Sequence, residues 1–251
     1  MNILIEGVKF GENDIDNILS RSKDFNIGIE YEIRPTEDQH VNLRDDLENW
    51  GLWPAIEAVI PEHDKMIEVI TKKLSLEDGL KHIKTMFEYL TQNEIEVPEM
   101  AGMHISISTN KHILGEFNPI KFYLLMNTNY IHKIFPTRNY VGNSFKNIKK
   151  AMNKALDFGN NFVTNQDFSK MSKSVIQELE DIMIGEIDQK YQTININDYS
   201  SNDGRIELRF FGGEDYHTLY SDIKQQLLRS LFLLELAYTD LYQREYYKQF
   251  G

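Results

Sequence analysis

Four short runs of alternating apolar and polar residues, set between longer segments whose apolar residues recur at helical spacing, predict an α+β fold. The runs are FNIGIEYEIRP from Phe25, KMIEVIT from Lys65, GMHISIST from Gly102 and GRIELRFF from Gly204. No internal repeat, low-complexity block or Pro/Gly/Ser-rich linker divides the chain, so residues 1–251 read as a single domain.

Taken in order, the first run puts Glu30 and Glu32 on one face and Ile29, Tyr31 and Ile33 on the other. Two like charges so close repel unless water, cations or arginines compensate. In the second run Glu68 sits among Met66, Ile67, Val69 and Ile70, a costly place for a carboxylate without a partner. Asp64, four residues earlier, can join it from the preceding loop. Ser75 followed by Asp78 forms a capping pair that opens an amphipathic helix reaching about Asn93. The third run sets His104, Ser106 and Ser108 opposite Met103, Ile105 and Ile107. Further helices are expected over 120–135, 145–158 and 172–184. The fourth run loads one face with Arg205, Glu207 and Arg209 while Ile206, Leu208 and Phe210 enter the core. A last helix, from about Asp215 to Lys248, carries Leu219, Ile223, Leu227, Leu231, Leu234 and Tyr238 on a stripe that packs on the sheet, and Tyr242, Tyr246 and Tyr247 read as its flank.

Composition narrows the function. A formal net charge of -12 argues against an extended electrostatic grip on nucleic acid, so small anionic ligands need arginines or metals to receive them. The absence of cysteine excludes disulfides, thiolate catalysis and Cys-type zinc sites. The longest apolar run, LFLLELAY from Leu231, is too short to span a membrane, and no opening segment has the pattern of a secretory leader. No membrane association and a cytoplasmic location are therefore expected.

Each polar strand face alone has an ordinary reading: solvated carboxylates, a surface histidine, arginines paired with a neighbouring glutamate. In combination they point elsewhere. Carboxylate oxygens with imidazole suit Mg²⁺ or Mn²⁺, and arginines suit phosphate.

The ordered set GIEYE, IEVIT, GMHISIS and RIELRF resembles the glutamine synthetase and glutamate-cysteine ligase superfamily, and more narrowly the amidoligases of bacterial and phage genomes. Glutamine synthetases carry a similar GMH strand and a similar RIEVRF strand in the same order. The resemblance runs from Ile27 to the final helix and is loose over about 110–192. It implies a curved antiparallel sheet folded into a funnel, with helices packed on its outer face, around ATP and two or more divalent cations. By that resemblance Glu30 and Glu32 each serve one metal site. Glu68, with Asp64 as a weaker match, joins Glu32 at one, and His104 and Glu207 join Glu30 at the other. Arg205 contacts nucleotide phosphate and Arg209 the acyl phosphate, while Arg138, in TRNY, matches an arginine placed near the same phosphates. Ser106 stands on the nucleotide side where many relatives have a second histidine. No segment matches the loop that shapes the amine pocket of glutamine synthetase, so specificity for ammonia and glutamate is not implied.

The activity implied is ATP- and Mg²⁺-dependent joining of a small-molecule or peptide carboxylate to an amine, through an acyl phosphate, to give an amide or isopeptide bond. Two other readings remain open: a phosphotransferase of the same fold acting on a guanidinium group, and a non-catalytic binding or structural protein that keeps the sheet. The resemblance places the protein in the cytoplasm of a bacterium or a phage-infected bacterium. A monomer or dimer is expected, because the candidate site is complete in one copy.

Overall fold

A computed structural model describes residues 8–109, 117–126, 131, 133–136, 193–195, 205–239 and 241. The helices expected over 145–158 and 172–184, Arg138, and the tyrosines at 242, 246 and 247 lie outside these residues.

The described chain is α+β. It contains helices α1 (Glu12–Ser20), α2 (Glu37–Asn49), α3 (Leu76–Gln92), α4 (Pro119–Met126) and α5 (Tyr220–Ala237). Its strands are β1 (Phe25–Ile33), β2 (Ile56–Pro61), β3 (Ile67–Thr71), β4 (Leu74–Ser75), β5 (Gly102–Thr109), β6 (Ile194–Asn195) and β7 (Ile206–Gly212). They form one antiparallel sheet in the order β2-β3-β1-β5-β7-β6, with β4 paired to the start of β1. The four alternating runs of the sequence become β1, β3, β5 and β7, and these are immediate neighbours. Residues far apart in sequence are thereby brought side by side.

Alternation decides which face is dry. Ile27, Ile29, Tyr31 and Ile33 of β1, Val69 of β3, Ile105 and Ile107 of β5, and Leu208 and Phe210 of β7 are all buried on the apolar side. Against this face lies α3, capped by the Ser75 hydroxyl, which accepts from the Asp78 backbone N–H at 3.1 Å. Gly79 lets α3 approach so closely that a methyl there would overlap the Ile27 side chain. Next along the helix, His82 Nδ1 meets the Tyr31 hydroxyl at 3.0 Å. An outer helix, α5, is tied to the residue after α1 by Arg21–Glu235 at 2.6 Å, and to α4 by Arg229, which donates to the Met126 carbonyl.

Three outlines differ from the sequence reading. The last helix starts at Tyr220 and stops at Ala237, because Gly212, Gly213 and Asp215 adopt left-handed φ values of 126°, 103° and 51° and turn the chain first. Of the helix expected over 120–135, a regular segment is described over Pro119–Met126. The edge strand β2 and helices α1 and α2, absent from the sequence reading, have sparse apolar patterns; α2 buries only Leu43 and Leu47. Among the described residues no helix is long and apolar enough to cross a membrane.

Candidate metal centre

The polar face opposite α3 gathers the charged residues of four adjacent strands. Register does the work: Glu32 stands across from Glu68, Glu30 from His104, and Ser106 from Glu207. Beyond β7, the short strand β6 sets Asn195 across from Glu207. The β5–β7 register slips by one residue between Met103 and Ile105, so Arg209 and Phe210 together face His104. Such a bulge re-aims side chains locally, and here it brings a guanidinium to the imidazole row.

His104, only 4% exposed, is the hub. Its Nδ1 lies 3.2 Å from Glu30 Oε2 and 3.7 Å from Glu207 Oε1, and its Nε2 lies 3.9 Å from Glu32 Oε1. Ligand atoms of Glu30, Glu68 and His104 all fall within 4.8 Å of one another. Glu207 is fixed from both sides: Arg209 donates to Oε1 at 2.6 Å and Asn195 donates to Oε2 at 2.8 Å. Glu32 accepts from the Gly102 backbone N–H, and its own carbonyl accepts from the Tyr216 hydroxyl.

Charge is concentrated here at a price in self-repulsion. Burial raises the Glu30 carboxyl, but the hydrogen bond and charge of His104, then Arg209 and Arg205, outweigh it and hold the group below its usual value. Glu68 is pushed up to about 7 by burial first and then by Glu30, Glu62 and Glu32. One carboxylate is thus kept ionised while its neighbour resists ionisation.

The residues fit a divalent cation. Two carboxylates, Glu30 and Glu68, and the His104 imidazole surround one spot, an oxygen-rich donor set that Mg²⁺ or Mn²⁺ can take. In addition, among the described residues the buried His104 Nε2 has no hydrogen-bond partner. The grouping differs in detail from the one the resemblance implies: Glu68 remains across from Glu32 in register, yet its carboxylate reaches Glu30 and His104, while one Glu32 oxygen is engaged by Gly102. Asp64 is not brought in. It is exposed on the β2–β3 turn at φ 57°, a left-handed position that aspartate tolerates well, so its place is explained by the turn.

Along β1 from the cluster, a cavity of about 190 Å³ is lined by Gly28, Glu30, Lys73, Ser106, Ser108 and Arg205. Ser106 and Ser108 are each 9% exposed. Two hydroxyls and two cations, with Glu57 as an opposing acid, line this cavity beside the carboxylate–imidazole cluster. Past the other end of β1 lies an open cavity of about 990 Å³, bordered by Arg34, Glu62, Lys65 and the start of α2. Its lining includes Glu62, which helps raise the Glu68 carboxyl, and Ile67, the residue before Glu68 on β3.

Sequence reasoning missed Asn195 and Lys73. Asn195 lies in a two-residue strand with no usable alternation, and Lys73 follows β3 in a plain KK pair.

Fold and site together define an antiparallel sheet protein with a carboxylate–imidazole centre flanked by arginines. No known protein family and no curated protein matches the chain.

Proposed function

We propose that the protein is an ATP- and Mg²⁺-dependent carboxylate–amine ligase of amidoligase type, its sheet being the funnel of a glutamine synthetase-like catalytic domain. The observation that carries this reading is the row of Glu68, Glu30, His104 and Glu207 with Arg209, drawn from four adjacent strands onto one face.

A carboxylate is a poor acyl donor because oxide is a poor leaving group. Moving the γ-phosphoryl of ATP onto it turns that oxygen into part of a phosphate, which an amine can then displace. Cations bound at the cluster would neutralise the charge that builds on the phosphoryl oxygens during this transfer. Glu30, Glu68 and His104 would hold one such ion; Glu32 and Glu207 extend the set. Arg209 is held at 2.6 Å by Glu207 and thus presents a pre-oriented guanidinium to the acyl phosphate. Arg205, Ser106 and Lys73 face the smaller cavity and would receive the nucleotide. The larger cavity, whose lining reaches Ile67 beside Glu68 in sequence, is where the carboxylate and the amine would enter.

The test uses hydroxylamine as a general amine. Protein, MgATP and hydroxylamine are incubated with pools of amino acids, dicarboxylates and short peptides, and ADP and hydroxamate are measured. Pool-dependent release of both supports the ligase. A stable phosphorylated guanidinium compound formed without any amine would replace it with the phosphotransferase reading.

A further inference from the structure

Glycine inside a strand weakens it, and it is normally explained by a left-handed φ, a bulge or a crowded neighbour. Gly28, in the middle of β1, has none of these. Its φ is not left-handed. Its pairing runs without a slip through Ile27–Ile107, Gly28–Ser106 and Ile29–Ile105. A Cβ built on it would meet only Ser106 Cβ, at 3.8 Å, an ordinary contact. Gly79, by contrast, is demanded by packing against Ile27. Nothing in the described fold asks for glycine at position 28.

The cavity above Gly28 supplies the reason. Glu30 of the metal cluster is the next residue on the same face, roughly 7 Å along the strand. Ser106 and Ser108, nine-tenths buried, form one wall, and Arg205, Lys73 and Glu57 also line the cavity. An anion that starts at cations held by Glu30 and reaches Arg205 has to cross the bare backbone between them.

Resting on the ligase reading, we propose that Gly28 is the seat of the nucleotide's phosphate chain: the missing side chain lets the phosphates lie directly on β1 between the metal centre and Arg205. Gly28 is then a position that determines whether the nucleotide fits, and a side chain there competes with the ligand for the same space.

The experiment is calorimetric titration of Mg²⁺ with a non-hydrolysable ATP analogue into wild type, Gly28→Ala and Gly28→Val, with Mn²⁺ binding alone and ligand-free thermal unfolding measured in parallel. Both variants are expected to unfold cooperatively at or above the wild-type temperature, since alanine and valine suit a strand better than glycine. Mn²⁺ affinity stays within about twofold. Analogue affinity falls about tenfold in Gly28→Ala and about a hundredfold or more in Gly28→Val, the scale of one and of several misplaced groups in a filled site. If wild type and both variants bind the analogue equally, the Gly28 inference fails and the ligase reading stands. If wild type takes Mn²⁺ but no analogue, both fail. Loss of cooperative folding in Gly28→Ala would also overturn the inference, because it would show that the fold itself requires the glycine.

Discussion

Acidifying the protein from pH 7 to pH 5 will weaken the docking of α3 on the sheet through one residue, His82. This ring is 6% exposed, stacks beside Tyr31 at 5.8 Å and meets the Tyr31 hydroxyl at Nδ1, while among the described residues its Nε2 has no hydrogen-bond partner. Burial lowers it from 6.5 to about 4, with the Leu52 backbone pulling the other way. The folded value lies below the unfolded one, so the unfolded chain binds the extra proton first. The stability contribution is complete above pH 6.5 and is lost as pH falls toward 4. Linkage gives about 2 kcal/mol lost between pH 7 and pH 5, approaching about 3 kcal/mol in stronger acid. Urea unfolding of wild type and His82→Gln at the two pH values isolates this part, because glutamine keeps an acceptor for Tyr31 without titrating. The wild type should lose about 2 kcal/mol more than the variant over this interval. Equal losses would refute the reasoning and leave His82 without a role in acid sensitivity.

Glu68 behaves in the opposite sense. Its folded value, about 7, lies above the ordinary 4.5, so its contribution is complete below 4.5 and is lost as pH rises through 7. In metal-free buffer Glu68→Gln should therefore lose less stability than wild type between pH 5 and pH 8, and it should give up its response to Mn²⁺; a variant that tracks wild type in both would remove Glu68 from the cluster. Gly79→Ala should destabilise by about 1–3 kcal/mol in chemical unfolding, the usual penalty of overpacking, since its methyl would overlap Ile27. Arg209→Ala should leave Mn²⁺ binding largely intact yet abolish hydroxamate formation, and unchanged turnover would detach Arg209 from the acyl phosphate.

Period-two alternation was enough to locate β1, β3, β5 and β7, because each strand buries one face against helices and so writes its orientation into the sequence. The Ser75–Asp78 pair announced the start of α3 for an equally local reason. What escaped was non-local. Nothing in GRIELRFF marks the register slip that sets Arg209 opposite His104, since it arises from pairing with β5. Asn195 gains its meaning only from standing across from Glu207. Asp64 was drawn toward Glu68 by its spacing of four, although the hairpin holds it in a left-handed turn. Charge type and strand face were legible; which carboxylate shares which neighbour depended on side-chain reach.

The central claim, that this polar face holds a metal–nucleotide pair, is tested most directly by thermal unfolding of wild type and Glu207→Gln with Mg²⁺, with ATP and with both. At a hundred times its dissociation constant a ligand adds about 2.7 kcal/mol to the native state. The account predicts that Mg²⁺ and ATP together stabilise wild type on this scale, and that Glu207→Gln, with its buried link to Arg209 and Asn195 altered, loses the gain. Unfolding that is indifferent to every mixture in both proteins would contradict it.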